Sequence, residues 1–237
     1  MENQEELINE VKTDGANELN SFEYLAKFMD DGGVFMWIIL GIWAIGVAIA
    51  VERLKALMKY DVDGPSLMGK IKKDVLENNV QIAIQDCGAS KSLLAQVLRS
   101  GLKRANQTKE KITDALEGSM LEAITHVDKR LNYLALIANV STLIGLLGTI
   151  YGLIQSFAAV ASADAASKAE LLALGISKAM NTTAFGLISA ISIMVIHVFL
   201  SGKAQKMIAD FEQYSVKLVD LLATKKNSHL QETKEVA

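Results

Sequence analysis

The sequence predicts an all-α membrane protein with three transmembrane helices, of which the second and third are long and extend into a cytoplasmic helical domain. Three apolar blocks are each long enough to cross a bilayer, which requires roughly 20 apolar residues in a helix. The 237-residue chain contains 51 % hydrophobic residues and a single proline. Between the first and second blocks, apolar residues recur every three or four positions among charged ones, which is typical of amphipathic helices.

Residues 1–33 form an N-terminal arm that is acidic and polar at first. It has no basic segment leading into an apolar one, so a cleaved secretory signal is not predicted. Apolar residues at helical spacing within residues 19–29 predict a short amphipathic helix that lies on the membrane surface. The first transmembrane helix is predicted over residues 34–51, which contain no charged residue.

Residues 52–133 are predicted to form a soluble helical domain, because charged and apolar residues alternate along the whole segment. Amphipathic helices are expected at residues 90–105 and 112–131. Residues 61–69 contain a glycine–proline dipeptide, so we expect a turn there.

The second and third transmembrane helices are predicted at residues 134–161 and 171–200, joined by a short polar loop at 162–170. At 1.5 Å per residue each helix is about 42–45 Å long. The hydrocarbon core is only roughly 30 Å thick, so both helices are expected to continue out of the membrane. The polar tail, residues 201–237, is expected to be helical to about Thr224 and disordered beyond it.

The distribution of lysine and arginine predicts the orientation, since these residues concentrate on the cytoplasmic side. The arm contains only two of them and the 162–170 loop only one. The ends that face the central domain and the tail carry Arg53, Lys55, Lys59, Lys129, Arg130, Lys203 and Lys206. The central domain and the C-terminus are therefore predicted to be cytoplasmic, and the N-terminus and the loop to lie outside.

The sequence gives no indication of an enzyme. It contains no recognisable set of nucleophile, base and orienting residue, no metal-ligand spacing and no phosphate-binding loop. Cys87 is the only cysteine, which excludes an intrachain disulfide and a cysteine-based metal site. We therefore expect no cofactor and no metal. The net charge of −3 does not favour an acidic or a basic partner, and no nucleic-acid partner is predicted.

Small residues lie where lipid-facing leucines would be expected in the second and third membrane helices. Gly145, Gly148 and Gly152 follow one broad face of the second helix, and Gly186 lies in the third. Helices in a bilayer associate where small residues let their backbones approach. These glycines are predicted to be helix-packing positions.

Hydroxyl and amide side chains accompany the glycines. Thr149 lies in the second helix, and Asn181, Thr182 and Thr183 lie in the third. A single threonine in a membrane helix often bonds only to a carbonyl one turn earlier. A polar stripe on two consecutive spans instead indicates an interior that water or an ion can reach.

Ionisable groups are scarce inside the predicted spans. The three spans contain no aspartate or glutamate, and their ionisable residues are Tyr151, Lys178 and His197. Lys178 is expected either to reach the interface with its ammonium or to line an ion mouth. Because proton carriage usually needs a titratable carboxylate or histidine at depth, a carboxylate would have to come from a partner.

Three sequence motifs resemble the MotA/TolQ/ExbB proton channel family, nearest the ExbB/TolQ branch. They are "LIGLLGTIYGLIQSF" at 143–157, "GISKAMNTTAFGLISAI" at 175–191 and "VERLK" at 51–55. The order of a first span, a large cytoplasmic domain and two long spans is also similar to that family.

The resemblance implies one subunit of a homopentameric ring in a bacterial inner membrane. The ring would enclose two copies of a single-span ExbD/TolR-like partner that carries an aspartate, and a TonB/TolA-like third component could receive the motion. The family's two pore-lining threonines map onto Thr149 and Thr183. The implied activity is proton conduction, driven by the ion-motive force and coupled to mechanical work on the cell envelope.

Two departures leave alternatives open. The ExbB/TolQ branch has a glutamate where this chain has Lys178, and it usually has a proline in the third span, which is absent here. The Asn181-Thr182-Thr183 run is similar to the MotA branch. The alternatives are a Na⁺-driven stator, a stator for motility or gliding, and a membrane scaffold that does not conduct ions.

Overall fold

A computed structural model describes residue 26, residues 28–30 and residues 32–235, with side chains to residue 225. From residue 34 onward, the described chain forms seven helices and no strand, which agrees with the predicted all-α class. They are α1 (Val34–Tyr60), α2 (Gly64–Leu76), α3 (Val80–Ala89), α4 (Leu93–Leu102), α5 (Lys109–Asp128), α6 (Leu131–Ala161) and α7 (Lys168–Glu235). The amphipathic helix predicted at residues 19–29 lies outside the described residues, except for helical positions 26, 28 and 29.

The prediction of three transmembrane helices is confirmed in its coarse form. Three helical stretches in the described chain, which contain α1, α6 and α7, are long and apolar enough to cross a membrane. Many of their leucine, isoleucine and phenylalanine side chains are exposed, as Leu143, Ile154 and Phe199 illustrate. Such surfaces suit contact with lipid or with other apolar helices.

The chain divides into two compact units. The first unit comprises Met1–Ile45 and Ile137–Ser192, and the second comprises Gly46–Leu136 and Ile193–Ala237. The first unit contains the apolar parts of α1, α6 and α7 in which the predicted site residues lie. The second unit contains α2 to α5 and has a hydrophobic core, with Leu57, Leu98, Leu116, Phe211 and Leu218 at most 2 % exposed.

The predicted turn at 61–69 is wrong beyond residue 63, because α2 begins at Gly64. Pro65 lies in the first helical turn, where a fixed φ suits the helix and the missing N–H costs no hydrogen bond. A Cβ on Gly64 would lie 2.7 Å from the Cζ atom of Tyr214, so glycine allows α2 to begin close to this ring. The glycine–proline pair therefore begins a helix instead of extending a turn.

The two amphipathic helices expected in the central domain are present as α4 and α5, with shifted ends. The break between α5 and α6 occurs at Arg130, whose φ of 63° is unusual for a residue other than glycine. The Arg130 guanidinium donates a hydrogen bond of 2.5 Å to Oε2 of Glu52. Hydrogen bonds from Arg53 and Arg130, with their positive charges, lower the pKa of the Glu52 carboxyl below its usual value.

The expectation of a disordered end after Thr224 is wrong, because α7 continues as one helix of 68 residues to Glu235. Between Lys203 and Glu235 the sequence contains neither glycine nor proline, the two residues that most strongly interrupt helices. High polarity near the C-terminus was therefore a poor sign of disorder.

Cys87 is expected to react slowly with thiol reagents in the folded protein. Its side chain is fully buried in the second unit, and burial raises the pKa of the thiol to about 11. At pH 8 only about a thousandth of a thiol with that pKa is thiolate, the reactive form. Native protein should be modified by iodoacetamide far more slowly than protein unfolded in SDS, with the rate rising towards pH 11.

The matched control for this experiment is a Cys87→Ala, Ser66→Cys double variant, since Ser66 is exposed on α2. That variant should react quickly at pH 8 without denaturant. Equal rates for the two cysteines in native protein would contradict the buried environment.

Candidate functional site

The first unit brings α6 and α7 into backbone contact at two glycines. A Cβ built on Gly145 would lie 3.2 Å from the Cα atom of Gly186. A Cβ built on Gly186 would lie 2.9 Å from both the Cα atom of Gly145 and the carbonyl oxygen of Ser141. Because the neighbouring atoms are backbone, no rotamer change can make room for a side chain. We call this contact between α6 and α7 the glycine seam.

The other two predicted packing glycines extend the glycine seam along α6. A Cβ on Gly148 would collide with the Cγ2 atom of Thr182, and one on Gly152 would lie 2.9 Å from the Cβ atom of Ala179. All four glycines therefore lie where α6 and α7 approach within one protomer. Small residues at such positions allow close helix packing without the hydrophobic effect.

The glycine seam is flanked by Thr149 on α6 and Thr183 on α7. These are the two residues that match the family's pore-lining threonines. Thr183 Oγ1 donates a hydrogen bond of 2.9 Å across the seam to the carbonyl oxygen of Gly145. Thr149 is one turn beyond Gly145 on α6, and its Oγ1 donates a bond of 2.6 Å to the carbonyl oxygen of Leu146. Both residues are partly exposed.

Thr182, also predicted to line the ion pathway, occupies a different environment. It is 2 % exposed, and its Oγ1 lies 3.1 Å from the carbonyl oxygen of Gly32 and 3.2 Å from that of Lys178. The hydroxyl thus joins α7 to the turn that precedes α1. Thr183 thus contacts Gly145 directly, Thr149 lies one turn along α6 from Gly145, and Thr182 is buried against the turn before α1; a role of all three in an ion pathway stays a prediction.

The remaining predicted residues are Asn181 and Lys178. Asn181 is partly exposed, and no side-chain hydrogen bond involves it within the described residues. Lys178 is exposed, with its Nζ atom beside Gly33; a Cβ there would lie 3.4 Å from it. Gly33 has a φ of 73°, a conformation that glycine adopts without strain. An exposed ammonium therefore lies next to the turn that begins α1.

One partly buried polar contact was not predicted. Trp43 Nε1 donates a hydrogen bond of 2.8 Å to Oγ of Ser192, which joins α1 to α7. The signal was present in the sequence, because Trp43 lies too deep in its span for an interfacial tryptophan. An indole N–H in an apolar surrounding needs an acceptor, and a serine on a neighbouring helix supplies one.

The chemistry of this region is that of oxygen ligands without an acid or base. The predicted spans contain no carboxylate, and Lys178 is their only lysine. Hydroxyl and carbonyl oxygens can coordinate a cation or accept a hydrogen bond. They cannot store a proton near neutral pH, so the region alone provides a polar wall and no proton carrier.

These features define a class: an all-helical, multi-pass membrane protein whose second and third spans meet at a close glycine contact flanked by hydroxyls. A sequence profile described as the MotA/TolQ/ExbB proton channel family matches residues 89–213, more than half of the chain. The chain belongs to this family. Its similarity to ExbB proteins supports the ExbB/TolQ branch, as the sequence motifs predict.

Two relatives illustrate the similarity. The chain is 26 % identical over 196 residues to a biopolymer transport protein ExbB homolog of Methanothermobacter thermautotrophicus, covering 82 % of this chain and 69 % of the relative. It is 28 % identical over 193 residues to the biopolymer transport protein exbB1 of Vibrio cholerae serotype O1, covering 80 % of this chain and 85 % of the relative.

The fold is similar to that of a chain in the structure of C. jejuni MotAB. The TM-score is 0.51 at 15 % sequence identity, with 76 % of this chain and 68 % of that chain covered. At this identity the similarity concerns the fold alone.

Proposed function

We propose that the protein is the ring subunit of an ion-driven stator in a bacterial inner membrane. Five copies enclose two copies of a single-span, ExbD/TolR-like partner whose transmembrane helix carries an aspartate. The observation that carries this proposal is that two partly exposed threonines, Thr149 and Thr183, lie on the two helices that meet at the glycine seam. Membership of the proton channel family supports the same conclusion.

The partner is needed because neither a carboxylate nor a histidine lies near Thr149 or Thr183 in the predicted spans; His197, the one histidine in those spans, lies three residues from the inner end of the third. The predicted spans of the chain contain no aspartate or glutamate. A partner carboxyl group that moves past the hydroxyls could carry a proton, and in its protonated form it could donate a hydrogen bond to a threonine oxygen in place of water. The ring thus supplies the polar wall, and the partner supplies the titratable group.

The proposed output is mechanical work on the cell envelope, and the names of two relatives, biopolymer transport proteins, are consistent with it. A TonB/TolA-like third component would receive the motion. The N-terminus lies in the periplasm and the C-terminus in the cytoplasm, because lysines and arginines flank the ends that face the central domain and the tail. The protein carries out no covalent chemistry and needs no cofactor.

The experiment that tests this proposal is mild co-purification of the tagged full-length chain from its native membrane, followed by native mass spectrometry. We expect five copies of the chain with two copies of a small protein that has an aspartate in its single span. A homo-oligomer without such a partner, under extraction that keeps a known five-to-two stator intact, would contradict the proposal.

A second candidate is a membrane scaffold that does not conduct ions. The observation that favours it is Lys178, an exposed cation in α7 beside Gly33, where the ExbB/TolQ branch has a glutamate. A positive charge at an outer mouth repels entering cations. Ion flux through the reconstituted complex separates the two candidates.

A Na⁺-driven stator and a stator for motility or gliding are variants of the first candidate. The same liposomes can be driven by a proton gradient or by a sodium gradient, and the flux identifies the ion. The partner's outer domain would indicate which process is energised.

A further inference from the structure

The second unit contains an open cleft of about 460 Å³ between α3, α4 and α5. Three cationic side chains line it, those of Arg99, Lys103 and Arg104, and no acidic residue is among the described residues that do so. Ligand pockets typically measure roughly 300–1,000 Å³, so the cleft is large enough for a small molecule or a headgroup. It lies outside the glycine seam and has no part in the proposed ion path.

The glycine at position 88 shapes the cleft. A Cβ on Gly88 would lie 2.8 Å from the Cζ atom of Arg99, so the guanidinium lies directly over the backbone of α3. This contact holds one face of the arginine in place. The Nε atom of Arg99 is buried and has no hydrogen-bond partner among the described residues. A donor in this state is unusual, because buried polar groups are normally paired.

The cations of the cleft form no close ion pair in the described part of the chain, although the carboxylates of Asp86 and Asp74 act electrostatically on Cys87, which also lines the cleft. The ion pairs found in that part of the chain join Glu52 to Arg53 and Arg130, and Asp61 to Lys203. None of them involves a cation of the cleft. Arg99 and Lys103 are one helical turn apart, a spacing at which like charges repel.

Favourable interaction of cations with the C-terminal end of α4 explains only part of this arrangement. Arg99 lies in the last turn of α4, where the helix dipole favours a positive charge. The helix dipole does not require a concave surface. It also does not explain why three cationic side chains line the same cleft. An anion in the cleft would relieve their repulsion.

We propose that this cleft binds a phosphate group. A guanidinium presents a planar pair of N–H donors that matches two phosphate oxygens, and lysine adds a point charge. Arg104 is partly engaged, because its Nη1 donates a 3.4 Å hydrogen bond to the carbonyl oxygen of Lys111. Arg99 and Lys103 are therefore the principal ligands. The phosphate belongs either to a soluble compound or to the headgroup of an anionic lipid.

The test is a titration of the full-length chain, purified in detergent, with inorganic pyrophosphate at constant ionic strength. Broadening of the pyrophosphate signal in ³¹P NMR measures binding. Arg99→Gln/Lys103→Gln should weaken binding by at least about ten-fold, because it removes both principal charges. Lys70→Gln/Lys72→Gln removes the same charge from exposed positions of α2 and should bind as the original chain does. Equal weakening in both double variants, or no broadening with the original chain, would overturn the proposal.

A charge-neutral variant keeps the test decisive if the double variant misfolds. Gly88→Val should push the Arg99 guanidinium away and weaken binding, whereas Gly69→Val, at a glycine with open space around its Cβ position, should not. Unchanged affinity in folded Gly88→Val would contradict the assigned geometry.

The source of the phosphate follows from a second arm, in nanodiscs made with or without phosphatidylglycerol. Weaker pyrophosphate binding when phosphatidylglycerol is present supports the phosphate site and assigns a lipid headgroup to it. Equal binding in both nanodiscs supports the site and assigns a soluble phosphate compound. The phosphate-site proposal and the stator proposal can fail independently, because the cleft residues lie outside the predicted spans. Failure to observe ion flux would therefore not change the result of the binding experiments.

Discussion

Replacement of Gly186 by leucine is expected to disrupt the packing of α6 against α7. A Cβ at this position would lie 2.9 Å from the Cα atom of Gly145 and the carbonyl oxygen of Ser141. Overpacking typically costs about 1–3 kcal/mol, and a contact with rigid backbone belongs at the upper end. For a chain of this size, about 3 kcal/mol corresponds to a loss of roughly 6–12 °C in the melting temperature.

This effect is measured by thermal unfolding in detergent, with resistance to protease as the readout at each temperature. Gly41→Leu is the matched control, since Gly41 is exposed in α1 and nothing lies within 4 Å of its Cβ position. That variant should melt at or slightly above the original temperature, because leucine favours helix over glycine. If the Gly186→Leu and Gly41→Leu variants have the same melting temperature, the glycine seam tolerates a side chain.

The double change Thr149→Val/Thr183→Val is expected to reduce ion flux strongly while the protein still folds. Valine has nearly the shape of threonine but no oxygen ligand. A hydrogen bond between membrane helices is worth about 0.6 kcal/mol on average, so losing the bond from Thr183 to Gly145 should leave the fold intact. Two lost oxygen ligands at about 1–2 kcal/mol each should lower flux on the order of ten- to a thousand-fold.

Flux is measured with the partner complex reconstituted in liposomes that contain an ion-sensitive dye. The control is Thr125→Val, at an exposed threonine of α5 that donates to the carbonyl oxygen of Leu121 as Thr149 does to that of Leu146. It should leave flux unchanged. Undiminished flux in the double variant, with normal complex formation, would remove these hydroxyls from the pathway.

The fold class was predictable because hydrophobic blocks and helical spacing are strong signals in a single sequence. The errors arose where one residue type serves two structural roles. Pro65 favours a turn in the sequence, although proline is equally suited to the first turn of a helix, where the structure has it. The polar composition after Thr224 predicts disorder, but composition alone does not decide where a helix ends.

The candidate site was only partly predictable for a related reason. Thr182 and Thr183 are adjacent, so the sequence could not separate their roles. On a helix, however, neighbouring residues point about 100° apart. One hydroxyl therefore meets the turn before α1, and the other crosses to Gly145. Which face is packed and which is partly open depends on the contact between helices, and spacing along one chain does not fix that contact.

The hydrogen bonds of the two partly exposed threonines determine which kind of group their oxygens can bind. Each hydroxyl proton is already given to a carbonyl, that of Gly145 or that of Leu146. Each oxygen can therefore only accept a hydrogen bond or coordinate a cation through its lone pairs. Such a surface attracts a bare cation or a protonated acid, which can donate, and repels an ionised carboxylate, which can only accept. The protonated, neutral form of an acidic group would therefore be favoured beside these threonines. The threonine surface would thus distinguish a carboxyl group that carries a proton from one that does not.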